Sequence, residues 1–87
     1  MTISQHDLDQ LLIHDGHGFT IVSRNPNGSR STYTGRGVAR FLEDPVNRGL
    51  PHRVTDGHGQ LVYCRDQQGL VHLSNAERLV LHMRGKR

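Results

Sequence analysis

The sequence predicts an α+β fold, in which an N-terminal helix precedes two β-hairpin-helix units. The four strands of these units are expected to form an antiparallel sheet with the helices packed on one face. Residues 15–43 and 56–84 align without a gap at an offset of forty-one residues, and both blocks open with Asp-Gly-His-Gly. In each block an apolar run ending in arginine leads to a polar turn ending in glycine, then to a second extended run and a helical pattern. We therefore interpret residues 1–87 as one small domain with an internal pseudo-repeat.

The first helix is predicted from its capping residues and its apolar stripe. Ser4 and Asp7 have the spacing of an N-cap and a third helical position. The i, i+3, i+4 stripe consists of Leu8, Leu11 and Leu12. We expect this helix to end at residues 15–16, where glycine can adopt the left-handed cap conformation.

The first block continues with a turn, a strand and a helix. Residues 25–28 read Asn-Pro-Asn-Gly, a composition typical of a turn, and residues 31–34 suit a returning strand. The next helix carries the stripe Val38, Phe41 and Leu42 and is expected to stop before Pro45. We interpret residues 46–51 as a linker, and residues 52–55 could form a short extra strand outside the four-stranded scheme.

The second block gives the clearer strand pattern. If residues 66–69 form a four-residue hairpin loop, then Arg65 faces Leu70 across the hairpin. Alternation then places an apolar set beneath the helices: Val62, Cys64, Val71 and Leu73. The opposite face receives Leu61, Tyr63, Arg65, Leu70 and His72. The capping-box spacing of Ser74 and Glu77 predicts a last helix, which ends before Gly85.

The first candidate site is the second of these two faces. The same facing pattern in the first block adds Thr20, Val22, Arg24, Ser31 and Tyr33 to it. We use the name predicted mixed face for the surface that Tyr33, Tyr63, Arg24, Arg65 and His72 would share. Aromatic rings for base stacking beside guanidinium groups for phosphates are what a single-stranded nucleic acid requires. The alternative is that the first helix covers this face and that the tyrosines are packing residues.

The charge distribution agrees with a polyanionic partner. The net charge is +3, and ten of the eleven basic residues are arginine, which binds phosphate or carboxylate bidentately. Residues 1–23 carry three aspartates and no lysine or arginine, whereas the remainder carries eleven basic and five acidic residues. This asymmetry favours an anion on one side of the molecule, although arginines on an ordinary solvated surface would give the same composition.

The second candidate site lies where the strand of the first block turns into its helix. Residues 34–37 read Thr-Gly-Arg-Gly, and backbone N–H groups at such a helix start can converge on an anion. Arg36 and Arg40 would add charge one turn apart. The lysine and hydroxyl residue of a P-loop are missing, and a flexible turn explains the two glycines equally well. The basic end of the chain, Arg84, Lys86 and Arg87, is a further candidate for nucleic-acid contact.

The histidines and the cysteine suggest no catalytic or metal site. None of the seven histidines has a recognised ligand spacing, so we expect no metal and no cofactor. In the predicted register Cys64 and His72 point to opposite faces, which argues against a Cys-His nucleophile pair. The single cysteine excludes an internal disulfide and favours a reducing compartment, the cytoplasm. No apolar run approaches the roughly 18 residues of a membrane span.

These patterns predict a small non-enzymatic nucleic-acid-binding module, with RNA or single-stranded DNA favoured over duplex DNA. The alternative function is a protein-binding adaptor or inhibitor of the kind encoded by a phage or plasmid. Because a domain of this size has a thin core and each hairpin leaves an edge strand, we also expect a homodimer.

Overall fold

The computed structural model describes residues 4–74, and the α+β class is confirmed with five strands instead of four. The elements in chain order are α1 (Gln5–Asp15), β1 (Thr20–Arg24), β2 (Arg30–Thr34), α2 (Arg36–Glu43), α3 (Pro45–Arg48), β3 (His52–Thr55), β4 (Leu61–Arg65) and β5 (Val71–Leu73). The predicted last helix and the basic residues Arg84, Lys86 and Arg87 lie outside the described residues. None of the helices within residues 4–74 is long and apolar enough to cross a membrane.

Helix α1 begins at the predicted capping box. The Ser4 hydroxyl accepts a hydrogen bond from the Asp7 N–H at 3.2 Å, and the Asp7 carboxylate accepts one from the Ser4 N–H at 3.2 Å. The helix ends before Gly16 as expected, but Gly16 has φ −98° and is not left-handed. A Cβ there would lie 2.3 Å from the Leu12 carbonyl oxygen and 3.0 Å from Val38 of α2. The position therefore needs glycine for space, because a Cβ would collide with the last turn of α1 itself and would also crowd α2.

The five strands form one antiparallel sheet in the order β2-β1-β3-β4-β5. The strand that the four-stranded scheme left out, β3, occupies the centre and separates the two predicted hairpins. The two Asp-Gly-His-Gly segments also differ in structure. Residues 15–18 end α1 and lead into β1, whereas residues 56–59 form the turn between β3 and β4.

The hairpin turn between β4 and β5 is one residue longer than predicted, and this changes the register. The Gly69 N–H donates to the Asp66 carbonyl at 3.0 Å, and the Asp66 N–H donates to the Leu70 carbonyl at 3.0 Å. Gly69 has φ +84°, so a type I turn is followed by a left-handed glycine bulge. Arg65 consequently pairs with Val71 and not with Leu70. A one-residue slip reverses the faces of one strand relative to the other.

The helices cover the face that carries Tyr33, Ile21, Val54, Tyr63 and Leu73, which are neighbours across the sheet. The prediction for β5 was correct, because Val71 packs against the core. The prediction for β4 was correct for Val62, which is buried in the core, but wrong for Cys64, because Tyr63 faces the helices instead. Tyr63 is fully buried. The core joins side chains of the helices and the sheet: Leu8, Leu12, Ile21, Val38, Phe41, Leu42, Val54, Val62 and Tyr63.

An irregularity in the β3–β4 pairing brings two successive residues of β4 into this core. Val54 pairs with Tyr63, whereas the next residue, Thr55, pairs with Leu61. Val62 is the extra residue, as in a β-bulge, where two residues oppose one. Val62 and Tyr63 are both buried as a result.

Helix α2 has the predicted stripe and the segment after it is partly helical. Val38, Phe41 and Leu42 are all buried, which confirms that prediction. The predicted linker is corrected, because its first part belongs to the single turn α3. The Asp44 carboxylate caps this turn by accepting from the Val46 N–H at 2.9 Å.

Candidate nucleic-acid interface

The predicted mixed face does not exist as one surface. Tyr33, Tyr63 and Arg65 lie on the helix-covered side of the sheet, whereas Arg24 and His72 lie on the other side. The Tyr63 ring contacts no solvent, so it cannot stack on a base. The alternative prediction, in which the first helix covers the tyrosines and they are packing residues, is correct for Tyr63. All four aromatic side chains of the chain pack in or against the core on this side.

The other side of the sheet, which no helix of the described residues covers, carries three arginines. We use the name open face for the side chains Val22, Arg24, Arg30, Thr32, Arg53, Cys64 and His72. Arg24 pairs directly with Arg30, and Val22 pairs with Arg53. All three arginines are exposed. Neighbouring strands therefore bring three guanidinium groups to one end of the sheet.

These arginines line a single concavity of about 470 Å³, which we call the cationic groove. Arg65 also lines it, and Asp66 is the only acidic residue among its lining side chains. Within residues 4–74, Arg24, Arg30 and Arg53 have no side-chain hydrogen bond and no ion pair. Like charges directly opposite each other on adjacent strands are destabilising, so the Arg24–Arg30 pair would gain from a bound anion.

Asp66 forms no ion pair with an arginine of the groove among the described residues. Its carboxylate accepts from the Gln68 N–H and the Leu70 N–H, both at 2.9 Å, and faces the His72 Nε2 at 3.0 Å. These bonds, led by the one with His72, hold the pKa of Asp66 below its usual range. The single acid of the groove is thus committed to its own turn and to β5.

Two buried polar groups on the helix-covered side of the sheet have no partner among the described residues. The Ser23 hydroxyl and the Arg65 Nε are both buried without a hydrogen bond there. Arg65 is fixed from its other end, because its Nη1 donates to the Gln5 side-chain oxygen at 2.9 Å. Buried groups of this kind are uncommon in folded proteins and concentrate at functional sites. Both groups lie across the sheet from the three exposed arginines.

The helix-covered side also holds a buried trio of titratable side chains, Asp9, His52 and Tyr63, exposed by only 1, 4 and 0%. The Tyr63 hydroxyl lies 2.5 Å from the Asp9 Oδ1 and 2.8 Å from the His52 Nε2. The His52 Nδ1 lies 2.7 Å from the Leu50 carbonyl oxygen. Gln5 donates to the second Asp9 oxygen at 3.3 Å. The trio fixes α1 to β3 and β4.

The geometry limits where the protons of the trio can be. The Leu50 carbonyl can only accept, so the His52 Nδ1 carries a proton. Either Tyr63 donates to an Asp9 carboxylate and a charged His52 donates to Tyr63, or a protonated Asp9 donates to Tyr63 and Tyr63 donates to a neutral His52. Both arrangements hold the same number of protons. Burial raises the pKa of Asp9 and lowers the pKa of His52, and both shifts favour the uncharged arrangement.

The prediction that Cys64 and His72 point to opposite faces is wrong. The two residues are direct partners in the β4–β5 ladder and share the open face. No hydrogen bond joins them, and the His72 Nε2 is directed to Asp66. Within residues 4–74 no group of three or more histidine, cysteine or acidic side chains is arranged to hold a metal ion.

The remaining predicted residues do not join the groove. Arg36 and Arg40 are exposed on α2, which packs on the helix-covered side, so they lie across the sheet from Arg24. Arg30 and Arg53 were not among the predicted site residues. Arg30 precedes Thr32 and Thr34 at alternate positions, and Arg53 precedes a valine that is buried, so the alternation of each strand contained the signal.

No known protein family matches the chain, and no characterised protein or solved structure is significantly similar to it.

Proposed function

We propose that the protein is a small non-enzymatic module that binds nucleic acid, RNA or single-stranded DNA, through the open face of its sheet. One observation carries the proposal: Arg24, Arg30 and Arg53 line one groove without an acidic partner in the described residues. Guanidinium groups bind phosphate oxygens bidentately, and their rigid fork suits a phosphodiester backbone. Base stacking on phenylalanine or tyrosine is not part of the proposal, because all four of these rings pack in or against the core.

The open face suits a flexible single strand better than a duplex. A duplex reader usually inserts a helix or a protruding ribbon into the major groove. Both longer helices of the described residues, α1 and α2, are packed on the opposite side of the sheet. A single strand can instead follow the arginines across neighbouring strands. A reducing compartment such as the cytoplasm is where we expect this function.

The proposal is tested by measuring the anisotropy of a labelled single-stranded oligonucleotide over a range of salt concentrations. Three phosphate contacts give log affinity falling with log salt with a slope of about −2, and each lost contact reduces that slope by about 0.7. Arg30→Gln should therefore weaken binding and flatten the slope. Arg36→Gln removes an exposed arginine on the far side of the sheet and should leave both unchanged. Failure of the unaltered protein to bind any oligonucleotide at low salt would disprove the proposal.

A protein-binding adaptor is the second candidate, and one observation favours it. Leu70, next to β5, is 61% exposed, and Leu73, within β5, is 45% exposed. Exposed aliphatic side chains next to an edge strand can contact a partner protein. An apolar interface would depend weakly on salt and would be lost in Leu70→Ser but kept in Arg30→Gln.

A further inference from the structure

A second concavity, of about 420 Å³, adjoins the cationic groove and differs from it in character. Arg24, Pro51 and Gln67 line both, so the two form one continuous cleft. Pro26, Leu50 and Pro51 give the second concavity apolar walls, and among its lining side chains only Arg24 is charged. One half of the cleft is therefore cationic and the other half mainly apolar.

The apolar half also offers the carboxamide groups of Asn25 and Gln67. The Asn25 Nδ2 donates to the Ser29 and Ser31 hydroxyls at 3.0 and 2.9 Å, which leaves its Oδ1 available as an acceptor. The exposed Gln67 side chain makes no hydrogen bond within the described residues. A fixed acceptor and a free amide suit the polar edge of a nucleobase, which carries donors and acceptors side by side.

We infer that the cleft holds one unpaired nucleotide, with its phosphate on Arg24 and Arg30 and its base in the concavity between Pro26, Leu50 and Gln67. The inference rests on the proposed function and adds the unit that is recognised. A nucleotide has the same two-part character as the cleft, an anionic phosphate joined to a flat ring with apolar faces and polar edges. A base in a duplex is stacked and its pairing edge is occupied, so only an unpaired base can enter. This gives a structural reason for a single-strand preference.

The first experiment compares a single-stranded DNA oligonucleotide with an abasic strand of the same length and charge, by fluorescence anisotropy at low salt. The full-length protein should bind the strand with bases more tightly. Gln67→Ala should weaken binding of that strand by about three- to tenfold, the value of one hydrogen bond, and leave the abasic strand unaffected. Gln68→Ala, the next residue of the same exposed turn, is the matched control and should change neither. Because Gln67 makes no phosphate contact, the salt slope should stay the same.

The second measurement uses Cys64, the only cysteine of the chain, which lines the cationic groove. Its reaction with a thiol reagent should slow when the oligonucleotide is bound. Equal affinity for the abasic and the normal strand would overturn the inference and leave the proposed phosphate binding intact. A base preference that persists in Gln67→Ala would also overturn it, because the base would then lie elsewhere. Failure of both strands to bind at low salt would instead remove the proposed function itself.

Discussion

Removing one oxygen atom, in Tyr63→Phe, should destabilise the protein substantially. Phenylalanine keeps the ring in the core, so the change isolates the hydroxyl that bridges the Asp9 Oδ1 and the His52 Nε2. Each of these buried atoms then loses a partner, and an unmet buried polar group costs about 1–3 kcal/mol. Asp9 keeps its bond from Gln5, which reduces the total. We expect a loss of about 2–4 kcal/mol in the free energy of unfolding.

The prediction is measured by thermal and urea denaturation followed by circular dichroism. For a domain of this size the expected loss lowers Tm by about 10–25 °C. Tyr33→Phe is the matched control, because the Tyr33 ring packs 4.8 Å from the Phe41 ring and its hydroxyl makes no hydrogen bond within the described residues. That variant should stay within about 0.5 kcal/mol of the unaltered protein. Equal melting temperatures for the two variants would show that the buried trio adds nothing to stability.

Four further predictions follow from the turns, the buried trio and the sheet edges. Gly59→Ala should cost about 1–2 kcal/mol in urea denaturation because φ is +79° there, whereas Gly18→Ala, the equivalent residue of the first Asp-Gly-His-Gly, should be neutral because a Cβ there meets nothing. The stability advantage of the unaltered protein over Asp9→Asn should shrink as the pH rises above 3.8, since a raised carboxyl pKa stabilises the fold only while the group is protonated. Its advantage over His52→Gln should shrink as the pH falls below 6.5, since a lowered imidazole pKa favours the neutral ring. Strands β2 and β5 end the sheet in the described residues, so sedimentation at micromolar concentration should show a homodimer, and a monomer would contradict that expectation.

The helices and the antiparallel class could be predicted because local patterns determine them. Ser4 and Asp7 cap the first turn of α1 by hydrogen bonds to each other's backbone N–H groups. Val38, Phe41 and Leu42 have the spacing that places them on one face of α2. Strand β3 was harder to predict. Its four residues lie between a proline and a glycine-containing turn, and only pairing with β1 and β4, whose residues lie up to 35 positions away, makes it the central strand.

The candidate site could not be predicted because a hairpin register depends on a single residue. Composition identifies residues 66–69 as a turn, but four such residues fit both a four-residue loop and a type I turn with a bulged glycine. The four-residue loop places Cys64 on the same side of the sheet as Val71 and Leu73, whereas the bulged turn places Tyr63 there. Arg24 was correctly assigned to the side of the sheet opposite the helices. The two tyrosines predicted to lie beside it, Tyr33 and Tyr63, belong instead to the core.

Burial of Tyr63 requires partners that are distant in the sequence, and Asp9 is the residue that indicates them. Asp9 lies between Leu8 and Leu12, the two buried leucines of α1, so a carboxylate on this stripe must enter the core with its neighbours. A buried carboxylate needs a donor, and the donor must come from the sheet beneath it. On the apolar side predicted for the second hairpin, Val62, Cys64, Val71 and Leu73 offer no strong donor, whereas the other side offers Tyr63. The polar residue on the helix stripe therefore selects the face that packs against α1, and Arg24, Arg30 and Arg53 of the opposite face stay exposed.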